Sequence, residues 1–173
     1  MQKNKEIQNL VWREVKSETI TPDVYLQKYG FKPLIAKNYE TYTPNPQIIE
    51  NIRKILAEKG KVLKILIIGA DWCKDCSENV PKGIKIVKEL NSEFLEMHII
   101  YGLKTNPLKK KGELNWHPKA SPPEALNPKF DLIAIPIFYF FNEEGKYLGR
   151  IVEKPTKGST LEEDMLKLIE KRL

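Results

Sequence analysis

Cys73 and Cys76 are the only two cysteines in this chain of 173 residues. Three positions apart, they could act as a redox dithiol, supply half of a metal site, or sit as an inert buried pair. The stretch around them, Ala70-Asp71-Trp72-Cys73-Lys74-Asp75-Cys76, follows a short apolar run and precedes a segment with helical periodicity. A cysteine placed where a buried strand ends and a helix begins faces unpaired backbone N–H groups and the positive end of the helix dipole. Both favour the thiolate, which is the nucleophilic form. Cys76, roughly one turn further along the same side, would be close enough to attack a mixed disulfide formed at Cys73. A structural staple is the poorer reading, because cross-linking residues three apart removes little entropy from the unfolded chain. Zinc needs four ligands, and the remaining ring nitrogens belong to His98 and His117, 22 and 41 residues beyond Cys76. That spacing is unlike a compact zinc site, so no metal is expected.

The elements that must position the pair follow from the apolar patterning. "VLKILIIG", residues 62–69, is short, apolar and almost uninterrupted, as a strand buried on both faces should be. Residues 76–90 predict a helix with Val80, Ile84, Val87 and Leu90 on one face and Pro81 as a kink. A second strand is expected over 94–101. A proline-interrupted loop over 102–128 should hold only a short helical turn near Pro123 to Leu126. "IPIFYFF", "NEEGK" and "YLGRIV" predict a β-hairpin. Thr160 and Glu163 fit a capping box that starts a last helix, with Leu161, Met165, Leu168 and Ile169 on its buried face.

Upstream of the first strand, Ile7, Leu10, Val11 and Val15 fall at helical spacing, and Thr21 with Pro22 should open a short helix ending at Gly30. A further helix in "TPNPQIIENIRKILAEKG" carries Ile48, Ile52, Ile55 and Leu56 on one face and ends at Gly60. From residue 62 the order strand, helix, strand, loop, strand, strand, helix predicts a parallel first pair with a right-handed crossover, and an antiparallel edge. The expected organisation is an α/β domain over 61–173, with an insertion at about 103–125, and a helical N-terminal extension over 1–60 packed on it.

Composition narrows the partners. With 41% apolar residues the chain can bury a core of its own, and a monomer is expected. The formal net charge of +6 is concentrated, since residues 103–130 hold six basic side chains against two acidic ones. Lys109 to Lys111 lack the aromatic interleaving or binding fold that nucleic acid requires, so no nucleic-acid partner is expected. A sharper reading is that the insertion selects an acidic partner near the cysteines, with Trp116 needing either core or partner for its ring. No run approaches the apolar length of a membrane span, and no apolar segment suited to a secretory signal stands near the start. A cytoplasmic location is therefore expected, where thiols are kept reduced and a lone close pair is catalytic or metal-binding rather than structural.

From about Val62 to its end the chain resembles a thioredoxin-like protein. The resemblance rests on Trp72-Cys73-Lys74-Asp75-Cys76, on Pro81 five residues after the second cysteine, on Ile135-Pro136 ahead of a strand, and on the glycine-marked hairpin "FNEEGKYLGRIV". It implies a mixed sheet flanked by helices, with Cys73 as nucleophile and Cys76 as resolving cysteine. It also implies a cis bond between Ile135 and Pro136, with Pro136 facing the pair and the Ile135 backbone available to a substrate chain. Trp72 would belong to the docking surface. No bound cofactor is needed, and an external reductase would regenerate the dithiol.

Two departures stand out. Ile67 lies six residues before Cys73, where the family commonly has a buried aspartate, which leaves deprotonation of Cys76 to water, Asp71 or Asp75. The 63 positions between Cys73 and Pro136 mark the insertion. Lys74 should stabilise the Cys73 thiolate and Asp75 should oppose it. The expected activity is thiol-disulfide oxidoreduction, reducing disulfides of protein substrates. The alternatives are a redox-sensing binding module on the same scaffold, or a disulfide oxidase or isomerase.

Overall fold

The computed structural model describes residue 7 and residues 9–173. A four-stranded sheet forms its centre, ordered β2-β1-β3-β4, with β1 at Leu63–Ile68, β2 at Leu95–Ile100, β3 at Ile137–Phe141 and β4 at Tyr147–Val152. β1 runs parallel to β2, with Leu63 opposite Leu95 and Ile68 opposite Ile100. On its other edge β1 pairs antiparallel with β3, Lys64 opposite Phe141, and β3 pairs antiparallel with β4. Among the described residues three α-helices precede the sheet: α1 at Pro22–Tyr29, α2 at Pro33–Thr41 and α3 at Pro46–Lys59. α4, Lys74–Leu90, joins β1 to β2; α5, Pro123–Leu126, is a single turn; α6, Leu161–Arg172, closes the chain.

Because side chains alternate across a strand, the register assigns each residue to a face. Ile65 and Ile67 share one face with their partners Phe140 and Phe138. Helices cover it. A Cβ on Gly83 of α4 would stand 3.1 Å from the Phe138 ring, and one on Gly149 of β4 would stand 2.9 Å from Leu168 of α6. Only glycine allows these helices so close. α2 packs on α4, and α3 on both α4 and α6. The α6 capping box is formed, Glu163 N–H donating to Thr160 Oγ1 at 3.3 Å and Thr160 N–H to Glu163 Oε2 at 3.0 Å.

The other face, bearing Lys64, Leu66, His98, Tyr139 and Phe141, is covered in a different way. Trp12 lies on it, its ring 4.8 Å from that of His98 and 5.3 Å from that of Phe141. Phe130 meets Tyr139 edge-on at 5.6 Å, and the Tyr139 hydroxyl donates to the Phe130 carbonyl at 2.8 Å. The cover here is irregular chain on both counts.

This overturns the helix expected from Ile7, Leu10, Val11 and Val15. Residues 1–6 and 8 lie outside the described residues, and between Asn9 and Ile20 the chain makes no helix apart from a 3-10 turn at Trp12–Glu14. Asn9 sits at φ 62°, where no α-helix runs. Val11 bridges Lys146 and Ile20 bridges Ile99, while Trp12 N–H donates to the Gly145 carbonyl at 2.8 Å. The apolar spacing is met by packing on the sheet, and the backbone groups find partners there instead of within a helix. α2 stands between the two expected helices, where no helix is predicted. It starts at Pro33 without a side-chain cap and buries Ile35 alone, so it leaves almost no pattern to detect.

One buried carboxylate fastens the irregular cover. Glu124 in α5, 1% exposed, accepts from the N–H groups of Lys16 at 2.6 Å and Ser17 at 2.7 Å, and from the Ser17 hydroxyl at 2.6 Å. Glu124→Ala takes the shared acceptor from three partly buried hydrogen bonds, and should lower the unfolding free energy by about 2–3 kcal/mol in a urea titration. Lys16→Ala keeps the main-chain donor and should cost less than about 0.5 kcal/mol. Equal losses in the two variants would refute the role given to Glu124.

Candidate active site

β1 delivers the chain to the site. After Ile68, Gly69 N–H still donates to the Ile100 carbonyl at 3.0 Å, Ala70 is buried, and a tight turn through Asp71 and Trp72 reaches Cys73. Gly69 is required by contact, since a Cβ there would come within 3.1 Å of Cys76 Sγ and 3.0 Å of the Tyr101 ring. Cys73 is the N-cap of α4. Its sulfur accepts the Cys76 N–H at 3.2 Å, the position usually taken by the oxygen of Ser, Thr, Asp or Asn.

That placement separates the two thiols. Both are free, Cys73 half-buried and Cys76 wholly buried. The Cys76 thiol and then its N–H, both directed at Cys73 Sγ, bring the Cys73 thiol down to about 7, against the opposing effects of burial and the Asp75 charge. Burial first, and the hydrogen bond to Cys73 second, push the Cys76 thiol far up. Around neutral pH the half-buried Cys73 therefore titrates to the thiolate while Cys76 beneath it stays protonated.

The peptide bond between Ile135 and Pro136 is cis, and the Ile135 carbonyl lies 3.7 Å from Cys73 Sγ. Residues 62 positions apart in the chain thus meet at the sulfur. Trp72 is 51% exposed, and its indole N–H donates to the Leu103 carbonyl at 2.8 Å, so the ring edge is held while a large part of its surface faces solvent. Lys74 is exposed on the first turn of α4, and Asp75 beside it is half-buried. Of these two, Asp75 acts on Cys73 in the expected sense, its charge opposing the thiolate.

Asp71 has a partner that the sequence does not advertise. Lys32, in the turn between α1 and α2, bonds it at 2.7 Å and holds its carboxyl below the usual range. Beneath the pair, Ile67 is wholly buried, and the neighbourhood of Cys76 holds tyrosines. Tyr25 and Tyr101 share a hydroxyl contact at 3.1 Å, and the rings of Tyr25, Tyr29 and Tyr101 lie 4.9–5.2 Å apart. Burial pushes the Tyr25 and Tyr101 hydroxyls well up, so both stay neutral. Tyr101 was detectable in principle: a parallel pairing of β1 with β2 puts the residue after Ile100 beside the one after Ile68. Lys32 and Tyr25 carry no local signal.

Neither histidine approaches the cysteines. His98 bonds Thr19 at 3.1 Å and Glu96 at 3.2 Å, and His117 Nδ1 accepts from the N–H groups of Lys119 and Ala120. Among the described residues no three His, Cys, Asp or Glu side chains converge to hold a metal ion. Trp116 finds the core, 6% exposed, its indole N–H donating to the Leu132 carbonyl at 2.6 Å.

A family model described as thioredoxin matches residues 22–106, which takes in both cysteines and runs from α1 to just beyond β2. The match begins inside the segment set apart above as an extension, and stops short of Pro136. No match was found among curated proteins. Two solved structures share the fold. A protein of unknown function from Pseudomonas aeruginosa is 20% identical, with a TM-score of 0.55 over 80% of this chain and 82% of its own. An HIV epitope scaffold is 16% identical, with a TM-score of 0.61 over 94% of this chain and 99% of its own. At such identities the structures speak for architecture alone, and they agree with the family model: the chain has a thioredoxin-like fold, and its residues 22–106 match the thioredoxin family.

Proposed function

We propose that this protein is a thiol-disulfide oxidoreductase that reduces protein disulfides through Cys73 and Cys76 in the cytoplasm. The observation that carries the reading is the place of Cys73 Sγ at the start of α4, where the Cys76 thiol and then its N–H bring the half-exposed Cys73 thiol down to about 7. The Cys73 thiolate attacks one sulfur of a substrate disulfide; a new S–S bond forms, the old one breaks, and the departing thiolate takes a proton from water. Cys76 then gives up its proton and attacks Cys73 Sγ. The reduced substrate leaves with two thiols, and the enzyme keeps the Cys73–Cys76 disulfide. An external dithiol reductase returns the two electrons.

The surroundings are assigned in the same terms. Trp72 and the Ile135-Pro136 turn receive the substrate chain beside the sulfur, while Asp71, Lys74 and Asp75 tune the pair. Asp71 is committed to Lys32, which leaves water or Asp75 to accept the Cys76 proton. Burial and the bond to Cys73 keep Cys76 protonated until attack, and the neutral tyrosines around it offer no base.

Two experiments test this reading. With a disulfide-bonded protein substrate, Cys76→Ser should accumulate a covalent adduct through Cys73, visible by mass spectrometry, and Cys73→Ser should neither form it nor turn over. Turnover by Cys73→Ser at the wild-type rate would overturn the assignment. Alkylation of the reduced protein by iodoacetamide should report a single reactive thiol. Its rate should rise with pH through a midpoint of about 7 and then level off, because the depressed thiol is ionised above that value. Asp75→Asn should move this midpoint down, since the Asp75 charge raises it. A midpoint near that of a free cysteine would remove the basis for catalysis.

A further inference from the structure

The segment after β2 builds a short arm. Thr105 bridges Trp116, Asn106 N–H donates to the Asn115 carbonyl at 2.7 Å, and His117 N–H donates to the Lys104 carbonyl at 2.8 Å. Its root is firm. Leu103 is wholly buried and its carbonyl holds the Trp72 indole, while Trp116 is buried against the Leu132 carbonyl, three residues before Ile135. Both anchors therefore belong to chain that borders Cys73.

Its tip is the reverse of its root. Residues 107–115 are all exposed, with Leu108 at 87% and Leu114 at 52%. Lys109 bonds Asn115, and Lys110 and Lys111 have no carboxylate partner among the described residues. Over residues 103–121 there are five lysines and a single acid, Glu113, whose carboxylate accepts the Lys110 N–H. On the other side of Asp71 the Lys32 bond holds the turn carrying the 76% exposed Phe31. The exposed leucines and the lysines without carboxylate partners stand side by side, and both are met by a partner that offers carboxylates and apolar side chains together.

We propose that this arm, residues 104–117, is a docking element for protein substrates in which an acidic, apolar-containing segment flanks the disulfide. The proposal rests on the oxidoreductase reading, since the arm brings the partner to the Cys73 sulfur. Lysines 109–111 engage the carboxylates, Leu108 and Leu114 engage the apolar side chains, and the root at Trp72 sets the distance to the reacting bond. Nucleic acid fits less well, because the tip has leucines where single strands need aromatic stacking surfaces.

The test compares three disulfide probes with the full-length protein: a peptide disulfide flanked by Asp, Glu and Leu, the same peptide with Lys in place of the acids, and a small aromatic disulfide without flanks. Wild type should reduce the acidic peptide with a kcat/KM about tenfold or more above the basic one, and added salt should erode the difference. K109E/K110E/K111E should abolish or invert that preference while leaving the small disulfide unaffected, and L108S/L114S should raise KM for the acidic peptide. Equal kcat/KM for the two peptides in wild type, or an unchanged preference in the charge-reversed variant, would overturn the docking role while the redox reading stands. Binding of a labelled single-stranded oligonucleotide through the same lysines, with no peptide preference, would reassign the arm. Failure of wild type to reduce any of the three probes would overturn the redox reading itself, and the docking role with it.

Discussion

β1 has a hydrogen-bonded neighbour on each edge and cover on each face, and this confinement decides where the chain is delivered next. A strand so enclosed cannot slip, because a shift of one residue would send Lys64 into the helical face and Ile65 out of it. Its end is therefore a fixed point. From that point Gly69 and Ala70 pass under Tyr101, and the turn at Asp71 and Trp72 puts Cys73 where α4 needs an acceptor. The reactivity of Cys73 is thus a property of strand placement before it is one of the sulfur.

The two faces of the sheet answer the same burial requirement by different means. Against Ile65, Ile67, Phe138 and Phe140 the chain lays helices, at approaches that Gly83 and Gly149 permit. Against Leu66, Tyr139 and Phe141 it lays irregular segments, whose backbone groups need partners from elsewhere. Glu124 accepts from two of them, the N–H groups of Lys16 and Ser17, and the Phe130 and Asp131 carbonyls are met by Tyr139 and Arg150. Polar side chains do there what helical hydrogen bonds do on the opposite face.

This asymmetry explains what the sequence discloses. α3, α4 and α6 are legible because each buries a periodic face and ends on a recognisable cap: Asn45 and Gly60, Cys73 and Asn91, Thr160. β1 and the final hairpin are legible from apolar runs and the turn at Gly145. The segment around Val11 misleads because its apolar residues face the sheet at a spacing that also suits a helix. α2 has neither a cap nor a periodic face. The cysteines and their helix N-terminus are local features and can be read directly, and Pro136 is reached through resemblance. Lys32, Tyr25 and Tyr101 join the site through contacts across 25 to 76 positions, which no local pattern encodes.

The use of a sulfur as the cap of α4 ties folding to electron count. Reduced and ionised, Cys73 is a full anionic acceptor for the Cys76 N–H; as half of a disulfide the same atom carries no charge and is a weaker acceptor. The first turn of α4 is then held more firmly in the dithiol than in the disulfide. By thermodynamic linkage any excess stability of the reduced fold is also a readiness to accept electrons, about 1 kcal/mol of capping corresponding to roughly 20 mV. A thermal melt of the two forms and a redox titration of the pair would therefore be two readings of one free energy, stored in a single turn of helix.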